Sequence, residues 1–102
     1  MQAKFINNTI HGGLKQGVCI RNVGQNAFVN QNKIHSNTGP GIEIQRDGKP
    51  TVHQNHIFMG KAEGVIVVDH GGGKIADNDI YENFLAGIAI RTHADPRVVN
   101  NR

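Results

Sequence analysis

The chain has 102 residues, with 11 basic and 8 acidic side chains and a formal charge of +3. That length allows a single domain, spanning residues 1–102, and no apolar run approaches the ~20 residues of a membrane helix. The cations are scattered rather than clustered, so neither a nucleic acid nor a membrane is an expected partner.

Isoleucine (12) and valine (9) far outnumber leucine (2), and asparagine (12) and glycine (13) are abundant. This composition favours pleated strands and tight turns and argues against a helical bundle. The single Cys19 excludes an internal disulfide, and the first residues lack an apolar signal core. Both features point to an intracellular setting, cytoplasmic or nuclear. Asn7-Asn8-Thr9 is a glycosylation sequon, which has meaning only in a secreted chain.

In chain order, the same three pieces recur. Phe5 is followed by Asn8-Thr9-Ile10 and then Gly17-Val18-Cys19-Ile20. Val29 is followed by Asn32-Lys33-Ile34 and Gly41-Ile42-Glu43-Ile44. Val52, Asn55-His56-Ile57 and Gly64-Val65-Ile66-Val67 form the third repeat. Ile75, Asn78-Asp79-Ile80 and Gly87-Ile88-Ala89-Ile90 form the fourth, and Val98 with Asn101 begins a fifth. The Asn anchors are spaced 24, 23, 23 and 23 residues apart, and the glycines 24, 23 and 23. Three independent series sharing one period make coincidence implausible.

Each piece alternates apolar and other residues, which predicts one buried face, and none is long enough for a helix. Strands this short need parallel partners above and below, about 4.7–4.9 Å away. Stacking the repeats places Phe5, Val29, Val52, Ile75 and Val98 in one inner ladder and Ile10, Ile34, Ile57 and Ile80 in a second. The third ladder is double: Val18, Ile42, Val65 and Ile88, with Ile20, Ile44, Val67 and Ile90. Three ladders converging on one axis give an all-β, right-handed parallel β-helix of about four coils. Leucine-rich repeats share the period but need leucines, and only Leu14 and Leu85 are present. A β-sandwich would not hold identical residues at this period.

Asn8, Asn32, Asn55, Asn78 and Asn101 are read as a structural ladder. Asparagine tolerates left-handed backbone at a corner, and its amide can bond the coils above and below. Gly17, Gly41, Gly64 and Gly87 open the longest strand, either for a positive φ or for a tight backbone approach. At a second turn, Gly13 and Gly60 stand where Asn37 and Asn83 stand in the other coils.

Acid–base or calcium chemistry on such a surface needs stacked carboxylates. The outward register of the Gly-opened strand reads Cys19, Glu43, Ile66, Ala89, with one carboxylate, and the register after the strand reads Arg46, Asp69, Thr92. No catalytic residue is assigned, no catalysis is expected, and no cofactor is implied. Asp47, His70 and His93 stack one carboxylate and two imidazoles, a candidate metal set that competes with an ordinary solvated turn. The turn reading is preferred. His11, His35, Phe58 and Tyr81 form an outward aromatic and imidazole stripe, the candidate contact patch. Gly71-Gly72-Gly73-Lys74 lacks the spacing and the following Ser/Thr of a phosphate loop, and Cys19 has no paired base.

Pro50-Thr51-Val52-His53-Gln54-Asn55-His56-Ile57 with Gly64-Val65-Ile66-Val67 resembles the parallel β-helix repeat of carbohydrate-binding and sugar-hydrolase domains. So do Gly73-Lys74-Ile75-Ala76-Asp77-Asn78-Asp79-Ile80 with Gly87-Ile88-Ala89-Ile90, and Pro96-Arg97-Val98. The alternating Pro-x-Val and Gly-Lys-Ile starts and the Asn-x-Ile-aromatic run are most similar to the β-helix of F-box only substrate adaptors of ubiquitin ligases. That resemblance implies a non-catalytic scaffold that holds a protein partner. The helical F-box is not in this chain. Alginate epimerases and copper-site maturation proteins share the repeat, but His93-Ala94-Asp95-Pro96 has the epimerase residue types in the wrong order. A carbohydrate-binding or polysaccharide-processing module and a self-assembling solenoid are the alternatives. The chain starts and stops at the same phase of the repeat. It therefore reads as a fragment of a longer solenoid, or as a unit that self-associates through its terminal coils into a homo-oligomer.

Overall fold

Each repeat folds as three short strands separated by sharp corners, because three or four residues of alternating polarity are flanked by turn formers on both sides. The computed structural model describes residues 3–6, 8–21, 27–91 and 93–102; Asn7 of the sequon and Thr92 lie outside them. The first coil holds β1 (Ala3–Ile6), β2 (Thr9–His11) and β3 (Val18–Arg21). The second holds β4 (Ala27–Asn30), β5 (Lys33–His35) and β6 (Ile42–Gln45). The third holds β7 (Thr51–His53), β8 (His56–Phe58) and β9 (Val65–Val67). The fourth holds β10 (Lys74–Ala76), β11 (Asp79–Tyr81) and β12 (Ile88–Ile90), and β13 (Arg97–Val99) opens a fifth.

Strands of this length are not stable as isolated hairpins. Here each one pairs in parallel with its counterpart one coil away. The result is three sheets: sheet A in the order β1-β4-β7-β10-β13, sheet B in the order β11-β8-β5-β2, and sheet C in the order β12-β9-β6-β3. The register is the one the repeat predicts. Val29 pairs with Val52 and Val52 with Ile75 in sheet A. Ile34 pairs with Ile57 and Ile57 with Ile80 in sheet B. Ile42 pairs with Val65 and Ile44 with Val67 in sheet C. All three ladders point inward. Val29, Ile34, Ile44, Val52, Ile57 and Ile75 are fully buried, whereas Phe5 and Val98 on the outermost strands keep 39% and 41% of their surface. No helix among the described residues is long and apolar enough to cross a membrane.

The anchoring asparagines are hydrogen-bonded from coil to coil, and Asn32, Asn55 and Asn78 are buried. The backbone N–H and the side-chain Nδ2 of Asn32 both donate to Asn55 Oδ1, each at 3.0 Å. Asn55 makes the same pair of bonds to Asn78 (2.9 and 3.0 Å), and Asn78 to Asn101 (3.1 and 2.9 Å). Each Nδ2 also reaches a carbonyl of the preceding coil. Asn32 donates to Phe5 O (2.8 Å), Asn55 to Val29 O (2.9 Å) and Asn78 to Val52 O (3.1 Å).

One expectation needs correction. The left-handed backbone lies one residue before Asn32, Asn55, Asn78 and Asn101, at Gln31 (φ 58°), Gln54 (φ 56°), Asp77 (φ 56°) and Asn100 (φ 53°). The reason is geometric. An asparagine that aims its side chain inward and its own N–H along the axis must stay extended, so the bend falls upstream. The second corner repeats the device at Ser36, Met59 and Glu82, one residue before Asn37, Gly60 and Asn83. There Asn37 Oδ1 accepts from Gly13 N at 2.9 Å, and Asn83 Oδ1 from Gly60 N at 3.1 Å. A Cβ on Gly13 or Gly60 would lie 3.1 or 3.2 Å from those oxygens. The alternation of Asn and Gly is thus one amide serving two coils.

The strand-opening glycines show no positive φ; close approach accounts for them. A Cβ on Gly64 would meet Ile80 Cγ2 at 2.6 Å and the Gly87 carbonyl oxygen at 2.7 Å, and one on Gly41 would meet Ile57 Cγ2 and Gly64 O at 2.5 and 2.7 Å. The isoleucine ladder of sheet B therefore fills the space a side chain would need. On Gly87 the nearest atom would be Ile80 Cγ2 at 3.5 Å, an ordinary contact. Gly64→Ala should cost about 1–3 kcal/mol of stability, whereas Gly87→Ala should be close to neutral. Urea unfolding followed by circular dichroism measures both, and equal effects would contradict the interlocking.

Candidate functional site

Four of the surfaces formed by outward strand positions and corners bear on the candidate site. On sheet B the third strand position carries His11, His35, Phe58 and Tyr81, brought into register by the ladder. Their rings stack almost face to face along the axis. Centroids are 5.0 Å apart for His11–His35, 4.8 Å for His35–Phe58 and 5.1 Å for Phe58–Tyr81, and interplanar angles are 7°, 8° and 2°. The four residues singled out from the sequence thus form one continuous stack. Stacked one coil apart, His35 and Phe58 each have a neighbouring ring on both sides. Beside the stack, at the corner leading to sheet C, Met59 (50% exposed), Phe84 (81%) and Leu85 (51%) extend the apolar surface from Tyr81 (43%).

At the corner between sheets C and A, Asp47, His70 and His93 all have left-handed backbone, with φ of 63°, 64° and 60°. The His70 and His93 rings stack at 5.4 Å with an interplanar angle of 17°. His70 Nδ1 lies 3.6 Å from Asp69 Oδ1 in its own coil rather than from Asp47. Among the described residues no three His, Cys, Asp or Glu side chains are arranged to hold a metal ion.

The outward face of sheet C has the register expected, with Cys19, Glu43, Ile66 and Ala89 aligned. Both oxygens of Glu43 are engaged: Gln16 Nε2 donates to Oε1 at 2.7 Å, and Gln45 Nε2 to Oε2 at 2.8 Å. A second carboxylate, overlooked in the sequence, stands just before the strand. Glu63 is only 6% exposed and accepts from Arg91 Nη2 at 3.1 Å.

The remaining surface is concave. Two open grooves of about 540 and 600 Å³ run along the corner between sheets A and B and share Asp77 and Asp79. Gln31, Gln54 and Asp77 line one wall, Lys33, His56 and Asp79 the other, and Asn32 and Asn55 the floor. His53 Nε2 lies 3.3 Å from Asp77 Oδ2, and His56 Nε2 lies 3.7 Å from Asp79 Oδ2. Sequence reading missed this groove because its carboxylates flank an anchor asparagine instead of stacking in one register. The usable signal was the acid-Asn-acid run Asp77-Asn78-Asp79 one coil above His53 and His56.

Residues 1–102 match the family model described as the right handed beta helix region. No curated protein matches the chain.

The buried Glu63 makes a sharp test of the sheet C face. Removing Arg91 strands a desolvated carboxylate, and the outer half of the pair is solvated, so Arg91→Met should cost about 1–2 kcal/mol at neutral pH. In a Glu63→Gln background the same change should cost close to nothing. Additive effects in this double-mutant cycle would show that the contact is not formed.

Proposed function

The chain belongs to the right-handed β-helix family, and from that premise we propose that it is a non-catalytic scaffold that docks a protein segment against the ring stack of sheet B. The continuous ring stack is the observation that carries this reading. A sugar ring binds an aromatic side chain by lying on an open face, and at His35 and Phe58 a neighbouring ring already stands on each side. Edges offer something different: C–H and N–H groups at the positive rim of each ring, suited to backbone carbonyls and apolar side chains of a polypeptide. Tyr81, Phe84, Leu85 and Met59 add an exposed apolar surface of the kind that marks protein contacts.

The non-catalytic part of the proposal is supported by the state of the carboxylates. Glu43 is held by two glutamine amides and Glu63 by Arg91. The resemblance to F-box only adaptors extends the reading, since the docked partner would then be a protein destined for ubiquitylation.

Peptides selected from a randomised display library against the full chain provide the test. Bound peptides should shift the resonances of His35, Phe58, Tyr81 and Phe84. A Tyr81→Ala, Phe84→Ser double variant should weaken them by about tenfold or more while leaving the fold intact. Neutral and acidic oligosaccharides should leave those resonances unmoved. Sugar-induced shifts at the stack, with no peptide that maps there, would overturn the proposal.

A further inference from the structure

On the outer face of sheet A one step of the ladder departs from the pattern of the rest of the surface. The ion pairs formed across coils elsewhere join opposite partners: His53 with Asp77 (3.3 Å), His56 with Asp79 (3.7 Å) and Arg91 with Glu63 (3.1 Å). Lys74 and Arg97, by contrast, are direct partners in the β10–β13 ladder. Among the described strand partners they are the one pair in which two Lys, Arg, Asp or Glu residues of the same sign face each other. Like charges directly opposite one another destabilise a sheet.

Among the described residues no ion pair neutralises either cation, and none involves Lys49 or the neighbouring Asp95. Lys49 adds a third cation from the coil below. Its stem lies over Gly72, where an added Cβ would sit 3.7 Å from its Cγ and 3.8 Å from its Nζ, so the ammonium reaches the level of the fourth coil. Thr51, the other ladder partner of Lys74, supplies a hydroxyl. Cations that are 23 to 25 residues apart in the chain (Lys49, Lys74, Arg97) are thus collected on one face by coil stacking alone.

We propose that this face binds an acidic segment of the protein partner, with Lys49, Lys74 and Arg97 meeting its carboxylates and the Thr51 hydroxyl donating to one of them. Charge complementarity selects the occupant. Carboxylates on one side of an extended peptide recur every ~6.7 Å, and long lysine and arginine stems spread readily from a coil spacing of ~4.8 Å to match them. The inference rests on the protein-docking reading above and adds a second contact surface to it.

The test uses the full chain, labelled with nitrogen-15, and three probes: a short Glu-rich peptide, its Gln-for-Glu counterpart, and inorganic phosphate. The Glu-rich peptide should shift the amides of Thr51, Lys74 and Arg97, and its affinity should fall as salt rises. Lys74→Gln should weaken it by about threefold to tenfold without lowering the melting temperature, because the change also removes a repulsion. Lys33→Gln, on sheet B, should leave the affinity unchanged. Shifts that map elsewhere, no binding, or equal shifts from the Gln peptide or from phosphate alone would overturn the proposal. If library-selected peptides still map to the ring stack in that case, only the acidic-segment site falls; if they do not, the docking reading falls with it.

Discussion

A single row of buried asparagine amides sets the position of every coil relative to the next. Each inward carboxamide spends its oxygen on one coil and its nitrogen on two. Asn55 Oδ1 accepts from both donors of Asn32, while its Nδ2 donates to Val29 O and Asn78 Oδ1. A carboxamide buried without partners would cost several kcal/mol, so a coil shifted by one residue would leave a whole set of polar groups unsatisfied. A hydrophobic ladder alone lacks this stringency, because valine and isoleucine pack almost equally well after a small slip. The amide row converts a tolerant core into one register.

Other features follow from that row. Asparagine must remain extended for its N–H to reach the next oxygen, which pushes the bend onto Gln31, Gln54 and Asp77. Left-handed backbone costs roughly 1 kcal/mol or more at a residue other than glycine. The fold accepts that strain at each corner because the adjoining hydrogen bonds exist only with the bend in place. The turn delivers Ile34, Ile57 and Ile80 to the interior, where their Cγ2 methyl groups reach the space left by Gly17, Gly41 and Gly64. The fixed coil spacing then propagates outward. It stacks four rings on sheet B, and it also holds Lys74 against Arg97 on sheet A.

Most of this was legible in the sequence because a solenoid maps a residue's position in the repeat directly onto its place in the cross-section. Once the spacing was known, Val52 could only sit beneath Ile75 and Phe58 beneath Tyr81. What stayed hidden depends on the path of the chain between ladders. The left-handed residue before each anchor cannot be told from the anchor by spacing, since Gln31, Gln54, Asp77 and Asn100 share no single side-chain type. The burial of Glu63 depends on how Arg91 folds across from the next coil. The groove at Asp77 and Asp79 depends on the angle between two sheets, which the period of a repeat does not encode. Cys19, Glu43 and Ile66 aligned as expected, but only the structure shows that Gln16 and Gln45 occupy both oxygens of Glu43.

The primacy of the amide row over the apolar ladders is open to direct measurement. Replacing Asn55 by leucine keeps the side-chain volume and adds apolar contacts, yet it leaves Asn32 N without its partner and strips one bond each from Asn32 Nδ2, Val29 O and Asn78 Oδ1. If the amides govern register, equilibrium denaturation of Asn55→Leu should show a loss of about 3–5 kcal/mol, a large share of the stability of a small domain. Amide hydrogen exchange should collapse in the coils on both sides of the substitution. A variant as stable as the parent, with protection unchanged at Asn32 and Asn78, would contradict the account and assign the register to the hydrophobic ladders alone.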